Sequence, residues 1–159
     1  MDWTIIQQAL PAYGHGFVLT VWLSLVGIIG SIIVGVIASL LQYFKTPILS
    51  QIATAYVELA RNTPLLIQLF FLYYAFPVIG WRMSSITAGI IGLIFLGGGY
   101  MAEGFTGGFQ GVTDSQINSG EALGMNRFQL ARYVVFPQGF ALSMPALAAN
   151  VIFLIKETS

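Results

Sequence analysis

Five ionisable side chains sit in or beside otherwise apolar stretches of this chain: Glu58, Arg61, Glu103, Lys156 and Glu157. A charge within a bilayer is costly and is rarely kept without a use, so each is a candidate to line a path through the membrane. The chemistry they offer is electrostatic recognition. If Glu157 faces such a path, its negative charge attracts a cation; in the alternative, Glu58 and Arg61 pair at an interface and Lys156 snorkels out to it. Bond-breaking chemistry has no motif, since the chain contains no GxxxxGK[ST] phosphate loop, HExxH, GxSxG or paired-carboxylate site. The absence of cysteine excludes disulfides and thiolate metal sites, and the single histidine, His15, reads as a polar residue at a helix start. No catalytic residue, metal or cofactor is expected.

The elements that must position these charges are apolar. Hydrophobic residues make up 57% of the 159 and charged residues 8%, against about a quarter charged in a typical soluble domain. A soluble fold so poor in charge would precipitate, and the lipid bilayer is the expected surrounding. Net charge is zero with no basic run, which argues against nucleic acid as a partner. The first sixteen residues lack the positive start and short apolar core of a cleavable signal peptide and are expected to be retained.

The twenty-five residues from Phe17 to Leu41 carry no charge, enough to cross a hydrocarbon core of about 30 Å at about 1.5 Å per residue. Within this first span Gly27, Ser31, Gly35 and Ser39 recur at every fourth position, which predicts a face of small residues packed closely on a neighbour. The apolar run Leu65 to Ile79 is too short to span alone; extended back to about Ile52 it takes in Glu58 and Arg61, with a break or kink expected at Pro64. Trp81 and Arg82 read as an interfacial anchor. A third span, Met83 to Ala102, ends in Gly97, Gly98 and Gly99, which permit tight contact or bending. A fourth, Val134 to Ile155, holds Pro137 and Pro145 and closes on LIKETS, after which a further span is expected to follow. Together these predict an all-α polytopic transmembrane bundle of about four spans, one domain over residues 1–159. Lysine and arginine counts orient it: with the N-terminus outside, Lys45, Arg127 and Arg132 lie inside against Arg82 alone.

Between the third and fourth spans, residues 103–136 turn polar and are expected in water or against a partner on the cytoplasmic side. Here Ile117, Ala122, Leu123, Phe128, Leu130 and Ala131, interrupted by Gly120 and Gly124, predict short amphipathic helical pieces. Such pieces either lie at the lipid interface or are buried by something else.

The spacing Asn118, Ser119, Gly120, three residues, Gly124, nine residues, then Val134, Val135, Phe136, Pro137 resembles the EAA loop of importer permeases in the ATP-binding cassette superfamily, written EAA, three residues, G, nine residues, IxLP. RNTPLLIQLFFLYY from Arg61 to Tyr74 is similar to the RGTPLLVQLFFLYY signature of the polar amino acid branch, YMAE from Tyr100 to Glu103 to its AYxAE, and LIKETS from Leu154 to Ser159 to its LLKDTS. There are departures. Asn118 stands for the motif glutamate, Ser119 and Gly120 for its alanines, Thr106 for an arginine after AYxAE, and Gly104 for a branched residue; Glu121 is a variable position.

The resemblance implies the transmembrane domain of a type I importer, moving a polar amino acid by alternating access, with ATP hydrolysed in a separate cytoplasmic ATP-binding cassette subunit. Residues 116–128 would be the coupling helix, with Asn118, Ser119, Gly120, Ala122, Leu123, Gly124 and Met125 at the ATPase contact and Pro137 stopping the connection before the next span. It also implies an amino-acid-binding protein in the periplasm or on the cell surface, a second permease copy as homo- or heterodimer, and multi-pass residence in the cell (inner) membrane. The alternatives are a non-functional or scaffold fragment of such a permease, and a small gradient-driven carrier or channel.

Overall fold

The computed structural model describes residues 3–158; Met1, Asp2 and the final residue of the LIKETS segment, Ser159, lie outside the described residues. Seven α-helices and no strand are found among the described residues: α1 (Trp3–Tyr43), α2 (Leu49–Asn62), α3 (Leu65–Phe70), α4 (Ser85–Gln110), α5 (Asp114–Ala122), α6 (Arg127–Leu130) and α7 (Phe136–Glu157). By length and composition three helical runs can cross a membrane, within α1, across α4 and from Arg127 to Glu157; the bent pair from Leu49 to Ile79 makes a fourth if it counts as one span.

Helix α4 is the hub, with α1, α2, α3 and α7 all packed on it. The small-residue face of α1 is what lets the two longest helices meet. A Cβ added at Gly27 would lie 3.2 Å from the Leu93 Cβ, and one at Gly35 would lie 2.9 Å from the Ala102 backbone nitrogen. Ser31 and Ser39 are fully buried, and Ser31 Oγ donates to the carbonyls of Gly27 and Leu93. Both hydroxyls are satisfied locally, so their burial carries no open hydrogen-bonding penalty. The opposite face of α1 presents exposed Ile29, Ile33 and Ile37, acceptable against acyl chains and not against water.

The three consecutive glycines of α4 do not interrupt it. They point in three directions and admit three neighbours: Gly97 faces Ser31 of α1 and Leu154 of α7, Gly98 faces Val34 of α1 and Tyr56 of α2, and Gly99 faces Ala60 of α2. Tyr56 Oη donates to the Phe95 carbonyl and Asn150 Nδ2 to that of Tyr100, pinning α2 and α7 to the same helix.

Several boundaries differ from the sequence reading. Helix α1 begins at Trp3 and runs through Pro11, so His15 is an exposed mid-helix residue and not a helix start. Gln7, Gln8, Ala9 and Leu10 are good helix formers, and no Ser, Thr, Asp or Asn stands between Pro11 and His15 to cap a new helix there. Helix α4 continues past Ala102 to Gln110 because Phe105 and Phe109 fall on its buried side, so residues 103–110 belong to the bundle. The expected break at Pro64 is present, and there the chain bends by 105°.

Pro137 does not stop the helix. Helix α6 passes through a π turn, Ala131–Val135, straight into α7, with the Phe136 amide reaching back to the Ala131 carbonyl. The same device appears after α3, where a π turn, Phe71–Ala75, precedes Phe76 and Pro77 and the Phe76 amide donates to the Phe71 carbonyl. A proline ring crowds the carbonyl four residues earlier, and widening the preceding turn makes room for it while keeping the chain helical.

Candidate functional site

Two groups of the candidate residues can be placed. The first surrounds the bend between α2 and α3. Arg61, in the last turn of α2, makes a 2.6 Å ion pair with Glu103 of α4 and lies over the Tyr100 ring at 5.4 Å from its centroid. The bend is held by Gln68, a buried residue of α3 whose Nε2 donates to the carbonyls of Ala60 and Thr63. Those carbonyls lose their helical partners where Pro64 ends α2, and the carboxamide replaces them.

A cavity of about 360 Å³ opens against this bend, its wall including Arg61, Asn62, Thr63, Tyr100, Phe153 and Glu157. Three distant parts of the chain, α2, α4 and α7, thus contribute to one space. Arg61 is already neutralised by Glu103, whereas Glu157 makes no ion pair among the described residues. The cavity therefore carries an uncompensated negative charge beside an aromatic ring, an arrangement that attracts an ammonium or guanidinium group. Glu58 and Lys156 are exposed and border no part of it. The pairing considered for Arg61 with Glu58 is instead made with Glu103.

Tyr100 and Gln68 are uncharged contributors to this site that a reading of charged residues does not single out. Tyr100 lies one turn before Glu103, on the same face as that glutamate, and Gln68 is a polar residue one turn beyond a helix-breaking proline; both signals were present in the sequence.

The second group is α5 and the turn after it. Thr113 and Gln116 form a capping box that starts α5, and Asn126 with Gln129 forms another that starts α6. Between them α5 ends in a Schellman motif: Gly124 N–H donates to Glu121 O at 2.9 Å, Met125 N–H donates to Gly120 O at 3.1 Å, and Gly124 has φ 78°. Asn118, Ser119 and Ala122 are exposed, and Leu123 at the tip is 79% exposed. Gly120 and Met125 turn the other way: a Cβ on Gly120 would lie 2.5 Å from Leu130 Cδ2 and 3.5 Å from Met125 Sδ. These two hold α5 against α6, leaving Asn118, Ser119, Ala122 and Leu123 free to meet a partner.

The comparisons with known proteins agree with this anatomy. The family model described as "Binding-protein-dependent transport system inner membrane component" matches residues 27–159. The probable amino-acid permease protein YxeN of Bacillus subtilis is 34% identical, over 100% of this chain and 72% of its own length. The glutamine transport system permease protein GlnP of Escherichia coli is 31% identical, over 99% of this chain and 73% of its own. A crystal structure of an amino acid ABC transporter with histidines superposes with a TM-score of 0.90 at 28% identity, covering 99% of this chain and 74% of that one.

Proposed function

Because this chain belongs to the family of binding-protein-dependent transport system inner membrane components, we propose that it is the multi-pass permease subunit of an ATP-driven importer for a polar amino acid in the cell (inner) membrane. The observation that carries the proposal is the exposed, Schellman-closed α5 tip, which stands in the register of the EAA loop and ends in a large apolar side chain, Leu123, that none of the described residues buries. Residues 116–128 dock in a cytoplasmic ATP-binding cassette subunit, where ATP is hydrolysed. Because α6 runs unbroken through the π turn into α7, a push on this segment is transmitted to the bundle as a rigid movement, opening the path to one side and then the other. The remaining partners are an external amino-acid-binding protein, which delivers the substrate, and a second permease copy.

Lys45 and Arg127 share one cavity and Arg132 lines the next, so three of the four basic residues used to orient the chain lie at the α5 end of the bundle. Arg82 precedes α4 at the other end. That asymmetry supports placing α5 in the cytoplasm. The bend cavity is the transport path, with Glu157 receiving the cationic group of the substrate.

Copurification tests the docking. The tagged protein, extracted with its partners in mild detergent, is expected to bring down a nucleotide-binding subunit, and to lose it when residues 116–128 are scrambled. Recovery that survives the scramble would place the contact elsewhere.

A further inference from the structure

Behind α5, two cavities adjoin. One, of about 310 Å³, is bordered by Lys45, Arg127 and Glu121 together with Ile117 and Leu130. The other, of about 360 Å³, is apolar, formed by Leu40, Phe109, Val135 and Phe136 with Arg132 at its edge. Tyr43 and Phe44 form part of both walls. Each volume is in the range of about 300–1,000 Å³ usual for small-ligand sites. Neither is lined by the exposed Ala122 or Leu123.

The charges there are unbalanced. Lys45, Arg127 and Arg132 contribute three cations and Glu121 one carboxylate, and none of the four makes an ion pair among the described residues. The loop carrying Lys45 is strained: Lys45 has φ 48° and Ile48 φ 67°, the second an outlier for a β-branched residue. Strain of this kind persists where surrounding structure enforces it, and is concentrated at ligand sites and switches.

We propose that this double cavity is a binding site for an anionic phospholipid, its phosphate held by Lys45 and Arg127 and an acyl chain lying in the groove of Leu40, Phe109, Val135 and Phe136. A cationic chamber that shares the wall of Tyr43 and Phe44 with an apolar one at the end of the spans matches a lipid with a negative head and an apolar tail. A free anion would leave the apolar chamber unused. Basic pockets between transmembrane helices are a recurring means of holding such headgroups.

The test is lipid retention by the unaltered protein, purified with its partners in mild detergent and examined by native mass spectrometry after adding phosphatidylglycerol or phosphatidylcholine. Phosphatidylglycerol is expected to be retained at concentrations roughly tenfold lower, since each cation near the phosphate favours it by roughly fivefold and Glu121 offsets part. Lys45→Gln with Arg127→Gln should remove that preference, and Val135→Trp, which fills the apolar chamber, should weaken retention of phosphatidylglycerol. Equal retention of the two lipids by the unaltered protein would overturn the proposal whether or not the variants fold. So would a preference that survives the double substitution, retention indifferent to Val135→Trp, or displacement of the lipid by excess inorganic phosphate, which would indicate a free-anion site.

Discussion

Gly124→Trp is expected to uncouple this protein from its ATPase partner while leaving its insertion in the membrane unchanged. The reason is backbone geometry, since nothing lies within 4 Å of a Cβ placed at Gly124. At φ 78° a residue with a side chain costs roughly 1–2 kcal/mol. The two hydrogen bonds that close α5 both depend on this turn, so relieving the strain reopens the helix and moves Leu123 off its position. The measurement is retention of the nucleotide-binding subunit at matched membrane levels. Tryptophan should lose most of it, whereas Gly124→Asn should keep most, because asparagine tolerates the left-handed conformation. Equal loss in both variants would mean that the left-handed turn is not what retention depends on.

Glu157→Gln is expected to raise the substrate concentration needed for half-maximal uptake by roughly ten- to a hundredfold, the range of about 1.5–3 kcal/mol given for hydrogen bonds to charged groups, with a smaller effect on the maximal rate. Glutamine keeps the size, removes the negative charge and turns one of the two acceptor oxygens into an NH2 donor. The neighbouring Arg61–Glu103 pair should be undisturbed, since Glu157 is not part of it. A variant with unchanged concentration dependence would remove Glu157 from the path and leave the bend cavity without its recognition group.

Much of the bundle was legible from residue spacing. The fourfold repeat of Gly27, Ser31, Gly35 and Ser39 marks the α1 face that packs on α4, and Pro64 marks the bend, because close packing and a missing amide are local requirements. What escaped depends on other parts of the chain. Residues 103–136 read as one polar segment outside the membrane, yet Phe105 and Phe109 near its start are in the core. Gly108 belongs there because α7 approaches within contact of it at Gly139 and Ser143, a fact no window around residue 108 contains. The π turns before Pro77 and Pro137 were hidden for a related reason: proline predicts interruption, and only the helical continuation on both sides reveals that the chain widens a turn instead. At the candidate path, five charges were equally eligible by burial cost. Tertiary placement separates Arg61, Glu103 and Glu157 from Glu58 and Lys156, and brings in Tyr100.

Uptake by the reconstituted complex tests the central claim most directly. The protein and its copurified partners are placed in lipid vesicles, the external binding protein is added, and accumulation of a panel of labelled polar amino acids is followed with and without ATP on the α5 side. The account predicts accumulation above the external concentration of at least one of them, only when hydrolysable ATP is supplied on that side. Accumulation that ignores ATP and follows an imposed ion gradient would contradict it, and would make the protein a carrier driven without an ATPase.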